Sequence, residues 1–231
     1  MKYFLSFILL SLLSCNFILA QSGNTIRVNA GEDVAQAYSP QGFYRFPQFL
    51  KPRLYFKGGI LNGGLVFNYN VLSGNMQFIN PKGDTLDMVI TPDLDSIVFE
   101  KNVFLFNGGF LEVVAQSDSL MLLKKLVLTT QEEKIGAYGQ PNTTSSIVSV
   151  KTYSAGTGVY NLVVNQNIIL IENISWFFAK GNTNMIKASK ANILKLLPAE
   201  KQAIADAYLK KNRTNFDREN DLRRLMEALG R

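Results

Sequence analysis

Histidine is absent from this chain of 231 residues, and its one cysteine, Cys15, lies inside an apolar leader, so the residues after Ala20 carry neither imidazole nor thiol. Imidazole is the side chain that titrates nearest neutrality, and thiolate is the strongest natural nucleophile. Their absence excludes Ser-His-Asp and Cys-His catalysis and His/Cys zinc binding. Any chemistry must rest on carboxylates, hydroxyls or amines, and no cofactor is implied. Disulfides are excluded as well, which a chain of this length tolerates because the buried fraction rises with size.

The leader is read from the order of its residues. Lys2 supplies the positive end, Phe4, Leu5, Phe7, Ile8, Leu9, Leu10, Leu12 and Leu13 form the apolar core, and Ile18-Leu19-Ala20 ends in a small residue. Ser11, Ser14, Cys15 and Asn16 interrupt the run, which falls short of the roughly 20 mostly apolar residues that a membrane span needs. Leu12-Leu13-Ser14-Cys15 looks like the lipobox of bacterial lipoproteins, but apolar Phe17-Ile18-Leu19-Ala20 stands where a polar tether is expected. The expectation is a signal peptide over 1–20, a mature chain beginning at Gln21 without a transmembrane span, and a periplasmic or secreted address, with lipidation at Cys15 the lesser alternative. A cysteine-free exported chain suits a bacterial periplasm or surface better than a small animal secreted domain.

Charge is uneven. Residues 21–178 hold 11 basic and 12 acidic side chains, while 179–231 hold 12 and 6, so the overall +6 belongs to the C-terminal tail. On an exported chain such a tail reads as a solvated helical face, and no nucleic-acid partner is expected.

From Arg53 to Phe178 short Val/Ile/Leu/Phe/Tyr runs are broken by Gly, Asn, Asp and Pro, the signature of antiparallel strands joined by tight turns. Asn62-Gly63 predicts a hairpin between strands Arg53 to Leu61 and Gly64 to Leu72. Turns at Ser73-Gly74 and Pro81-Lys82-Gly83-Asp84 extend this to a four-strand meander over Arg53 to Ile90. Further strands are expected at 96–100, 103–106, 110–115, 120–128, 147–153, 159–164 and 168–178, with a long exposed loop over 129–146 around Tyr138. Past Phe178 the period lengthens. Ile186, Ile193, Leu194 and Leu197 predict one helix, Pro198 opens a second with Ile204, Ala207 and Tyr208 on one face, and Asp217 caps a third that carries Leu222, Leu225, Met226 and Leu229. The fold class is α+β: an antiparallel β meander, as open sheet, roll or sandwich, followed by about three short C-terminal helices. A signal peptide (1–20), a lead-in (21–52), a β region (53–178) and basic helices packed on it (179–231) make one domain.

Two constellations could carry chemistry. Asp84, Asp87, Asp93 and Asp95 place four carboxylates within a short stretch, as calcium binding or paired acid/base work requires, although turns use the same residues to bond the backbone. Arg45, Lys51, Arg53 and Lys57 interleave with Phe43, Tyr44, Phe46, Phe49, Tyr55 and Phe56, a pattern that could stack sugars or hold polyanions, or else fill a core while the charges face water. Arg45, Arg53, Tyr55, Lys57, Tyr69 and Tyr138 are the candidate ligand-binding residues; no metal ligands are assigned. Lys124-Lys125 with Ser119 lack the helical Ser-x-x-Lys spacing of a hydrolase pair, and Gly156-Thr157-Gly158 lacks the helix that a phosphate loop needs. Asp84-Thr85-Leu86, Asp95-Ser96-Ile97 and Asp118-Ser119-Leu120 resemble a bacterial O-glycosylation triplet.

Lys57 to Phe78, with Gly58-Gly59, Asn68-Tyr69-Asn70 and Gly74-Asn75-Met76-Gln77-Phe78, and the basic helical end Leu197 to Leu229 resemble exported β-rich envelope proteins of gram-negative bacteria that have no assigned function. The resemblance implies a fold type and an envelope address, and no catalytic residue. The leading expectation is a non-enzymatic envelope protein, a β-rich binding or scaffold module whose partner is another envelope protein, a glycan or a lipid. The alternatives are a lipid or glycan carrier with a cavity between sheet and helices, and a carboxylate-dependent hydrolase.

Overall fold

The computed structural model describes residues 24–117, 120–135, 141–142, 147–149, 163–182 and 184–230. The leader with Cys15, Asp118-Ser119, Tyr138 and Gly156 to Gly158 lie outside the described residues. In chain order the elements are β1 (Thr25–Val28), α1 (Val34–Tyr38), β2 (Arg53–Phe56), β3 (Gly59–Leu61), β4 (Val66–Asn70), β5 (Asn75–Ile79), β6 (Thr85–Asp87), β7 (Leu94–Phe99), β8 (Asn102–Phe106), β9 (Phe110–Ser117), β10 (Leu120–Glu132), β11 (Lys134–Ile135), β12 (Pro141–Asn142), β13 (Ile147–Ser149), β14 (Ile168–Lys180) and β15 (Asn184–Lys187). Then come α2 (Lys190–Leu196), α3 (Ala199–Lys211) and α4 (Glu219–Leu229). The protein is therefore mostly antiparallel β with helices at its C-terminal end.

Among the described residues one large sheet runs β1-β14-β10-β9-β8-β7-β2-β3, with β13 beside β10 and β15 beside β14, and β4-β5-β6 form a separate three-stranded meander. The Ser73-Gly74 and Pro81 to Asp84 turns stand where the sequence puts them, and Asn107 to Gly109 turn between the strands expected at 103–106 and 110–115. The Asn62-Gly63 hairpin does not form: the chain reverses earlier, at Lys57-Gly58, pairing Phe56 with Gly59, and β4 leaves for the second sheet. The first predicted strand is thus two, and the four-strand meander is three. Residues 129–132 continue β10 instead of opening a loop, because Thr129 to Gln131 gain β13 on one side while β14 holds the other.

The lead-in belongs to the core. β1 adds to the edge of β14, Thr25 opposite Ile171, and Asp33 caps α1 by accepting from the Gln36 N–H. Phe43 and Phe46 are buried. The irregular segment from Phe43 to Leu50 lies along β4, where Asn68, itself buried, fastens it: Oδ1 accepts from the Phe46 and Tyr69 N–H groups, and Nδ2 donates to the Phe46 and Gln48 carbonyls. A segment with no regular period thus satisfies its backbone partly through this amide and partly through bridges to β4 at Tyr44–Asn70 and Leu50–Phe67.

Alternation along β10 and β14 sorts the core. Leu126 and Leu128 face the meander and the lead-in, with Val28, Phe46, Phe99, Phe104 and Leu170. Leu120 and Leu122 lie on the same sheet face at the other end, beneath the helices, with Trp176 and Phe178. On the opposite face Met121, Leu123 and Ala179 join Leu105 and Leu111 in a third cluster. Leu120 to Leu123 are consequently buried on both faces, and this stretch reads as a continuous apolar run. The sheet is rolled. Asn182 Nδ2, in the β14–β15 turn, donates to Asp95 Oδ2 on β7 at 2.6 Å, although β7 is four strands from β14 and a flat sheet would separate them by ~19 Å.

The helices cover the β9, β10 and β14 end. Ser189 caps α2 by accepting from the Asn192 N–H, Pro198 precedes α3, and Lys201 Nζ donates to the Leu229 carbonyl at the end of α4. The cap of α4 is Arg218 rather than Asp217, whose carbonyl instead accepts the Trp176 indole N–H. Ile186 pairs with Phe178 in β15, outside any helix. Ile204, expected in the buried face, is exposed, and α3 presents Ala205 in its place. Gly230 ends α4 against Ser117, whose side chain occupies the space that a Cβ would need.

Leu222, Leu225, Met226 and Leu229 are almost fully buried. Leu225→Ala is expected to cost about 2–5 kcal/mol, and truncation before Lys201 to lower the Tm markedly. Thermal melts check both; an unchanged Tm after truncation means that the tail is an independent arm.

Candidate functional site

A cleft of about 290 Å³ opens where the meander faces the rolled sheet. Tyr69 and Val71 of the β4 end, Met88 and Ile90 after β6, Phe106 and Phe110 at the β8–β9 turn, and Leu126 and Leu128 of β10 give it apolar walls. Ser73 and Asn75 stand on one lip and Lys125 on the other. Lys125 is the one charged residue in the lining, and among the described residues it has no ion-pair partner. Its ammonium lies over Gly109, at φ +152°, where a Cβ would stand 3.1 Å from Nζ. Glycine is therefore favoured there by the backbone, and any side chain would displace the lysine tip.

Tyr69 is held from three sides. Its ring packs on Phe104 at 5.3 Å and on Phe110 at 6.1 Å, and its carbonyl accepts from the Arg45 N–H. Burial, with Glu112 nearby, pushes its phenol up to about 12, so the hydroxyl stays a neutral donor and acceptor at physiological pH. Arg45 does not project as a free cation. Nε and one terminal nitrogen engage both oxygens of Glu112 at 3.0 and 2.8 Å, Asn102 also donates to Glu112, and the guanidinium lies 5.4 Å from the Phe46 ring centre. The Glu112 bonds hold the guanidinium above its ordinary pKa, against the desolvation that opposes its charge. Arg45 thus clips the lead-in to β9.

The remaining candidates scatter. Arg53 and Tyr55 on β2 lie opposite Val98 and Ser96, and Lys57 sits in the β2–β3 turn with its N–H on the Asp93 carbonyl; none of the three lines the cleft. Tyr138 is outside the described residues. The four aspartates are not brought together. Asp84 accepts from Asn80, Asp87 from Asn75 and Gln77, Asp95 from Asn182, and Asp93 is exposed with its carbonyl on Lys57. Among the described residues no group of three or more carboxylates is placed to hold a metal. Ser96 is buried, which closes the Asp95-Ser96-Ile97 triplet to modification in the folded chain.

A second recess of about 560 Å³, between β9 and α4, is lined largely by polar groups, including Gln116, Ser117, Arg223 and Glu227. The apolar cleft is between two sheets, not between sheet and helices. Sequence reasoning missed Lys125 and the walls at Met88, Ile90 and Phe110. The available signal was Lys124-Lys125 inside the apolar run Leu120 to Leu128, two cations that must emerge on opposite faces of one strand.

Because the folded protein holds the Tyr69 proton up to about 12 while the unfolded chain releases it near the ordinary value of 10, the native state binds more protons in that window. The Tyr69 contribution to stability is fully present below pH 10 and is lost as pH rises toward 12. Tyr69→Phe should flatten the decline of Tm over that range; an unchanged slope overturns the assignment.

No family model, curated protein or solved structure matches this chain, and the functional reading rests on the geometry above.

Proposed function

We propose that this chain is an exported, non-enzymatic envelope protein, a β-rich binding module that takes a ligand with an apolar body and a negative charge in the cleft between meander and roll. The observation that carries the reading is the lining: apolar walls, one cation without an ion-pair partner among the described residues, and no acidic side chain. Apolar walls supply non-directional affinity, and a few polar groups fix orientation. The Lys125 ammonium compensates the ligand's charge, and the Tyr69 hydroxyl and the Ser73 and Asn75 side chains offer hydrogen bonds at the opposite lip. A scaffold role is compatible with the helical end, where four cations are held in ion pairs: Lys190 and Lys210 on Asp206, Arg223 on Glu219, Arg224 on Asp221. The envelope address rests on the leader and on the resemblance to exported proteins.

Anilinonaphthalene sulfonate tests the cleft, since it joins an aromatic body to one anion. Saturable fluorescence is expected, weakened about tenfold by Lys125→Glu, a change of about 1.4 kcal/mol, with the neutral phenylnaphthylamine little affected. Equal response of both dyes to Lys125→Glu, or no saturable binding, refutes the site.

Export is tested by intact mass. A product beginning at Gln21 is expected in the periplasm or medium; one beginning at acylated Cys15, or retaining Met1, moves the protein to a membrane.

A further inference from the structure

One wall of the cleft is the edge of a strand. Strand β10 is paired with β14 along its entire length, Leu120 to Glu132. On its other side, among the described residues, β9 accompanies it only as far as Lys124, opposite Glu112, and β13 only from Thr129, opposite Ser149. Lys125, Leu126, Val127 and Leu128 fall between these partners, and all four line the cleft.

Which backbone groups point into that gap follows from the ladder. Glu133 N–H donates to the Asn167 carbonyl, one step past the last β10–β14 pair, Glu132 with Ile168. In an antiparallel pair both backbone groups of a residue turn the same way and alternate along the strand. The odd-numbered residues of β10 therefore face β14. The far side of β14 agrees: Glu172 N–H donates to Asn24, and the Trp176 carbonyl accepts from Ala188, so the even-numbered residues of β14 turn away from β10. No register shift interrupts the pairing. Leu126 and Leu128 consequently direct two N–H and two C=O groups toward the cleft, at the two-residue spacing of a strand.

Resting on the cleft as the ligand site, we propose that its occupant is an extended peptide segment of a partner protein, added as a strand beside Leu126 to Leu128, with apolar residues at alternate positions and a carboxylate between them beside Lys125. An acyl chain would strip water from these four backbone groups and replace none of it, whereas a strand offers a partner to each. The two faces dictate the pattern. Leu126 and Leu128 belong to the same apolar cluster as Tyr69, Met88 and Ile90, so residues turned inward are apolar. Lys125 and the half-exposed Val127 occupy the other face, where a cross-strand neighbour of Lys125 is acidic. The gap is four residues long, ~13 Å at strand rise, and sets the length of the paired tract.

The test has two parts, both on the full protein. Residue-resolved amide exchange by NMR should find the Leu126 and Leu128 amides exchanging fast in the free protein while those of Lys125 and Val127 are protected. A displayed library of random decapeptides, panned on the protein, should enrich sequences that alternate aliphatic residues with Asp or Glu. The best peptide, resynthesised, should protect Leu126 and Leu128, lose about tenfold in affinity on Lys125→Glu, and lose binding when one alternate set of its amides is N-methylated but not the other. Protection of both amides in the free protein would mean the gap is already filled, and overturns the proposal. So does a library that enriches nothing dependent on Lys125, or a peptide indifferent to which amides are methylated. If the naphthalene sulfonate still binds through Lys125 while peptides do not, strand addition fails and the cleft reading stands; if neither depends on Lys125, both fail.

Discussion

The unbroken pairing of Leu120–Glu132 with Ile168–Lys180 is the constraint on which the other contacts rest. Thirteen residues in one register present a single face that serves two purposes: its Leu126 end supports the meander and lead-in, and its Leu120 end supports the helices. A one-residue slip would exchange every side chain between faces and leave neither core intact. The opposite face closes on itself as the sheet rolls, so Leu122 and Leu123, adjacent in sequence, serve different clusters.

The smaller devices adapt other segments to that frame. Asn68 holds the irregular lead-in against β4, and the Arg45–Glu112 pair ties the same lead-in to β9, so two polar links reinforce a segment whose direct pairing with β4 is limited to isolated bridges. Because both links join the lead-in to sheets that flank the cleft, the position of Tyr69 depends on residues well upstream of it. The Lys201 ammonium on the Leu229 carbonyl similarly joins α3 to the end of α4, where carbonyls lack intrahelical partners.

Much of the architecture was legible from spacing. Turn residues at Ser73-Gly74, Pro81 to Asp84 and Asn107 to Gly109 specify local conformations that tertiary context does not override, and Leu222, Leu225, Met226 and Leu229 have a helical period that buries one face. Pairing partners were not legible. Asn62-Gly63 has the composition of a hairpin, yet Gly59, at φ +141°, lets the chain turn at Lys57-Gly58 first, and β4 finds its partner in β5. Of the site, Tyr69 was recognised; Lys125 was not, since its significance lies in where β9 stops, a property of two strands rather than of one. The aspartates show a related limit. They are close in sequence, but they lie on turns and strands where Asp84, Asp87 and Asp95 each engage amide side chains of their own and Asp93 stands exposed.

The topology also sets the order in which the protein can be completed. Val28 pairs with Ile168, more than half the chain away, and Phe46 and Leu170 share one core. A ribosome that has released the first hundred residues has supplied the local hairpins but neither β14 nor the strand edge on which β1 closes. Native structure therefore waits on the end of synthesis, and the chain stays threadable for as long as it is being made. On the export route proposed for this chain, late closure of its first strand is a useful delay.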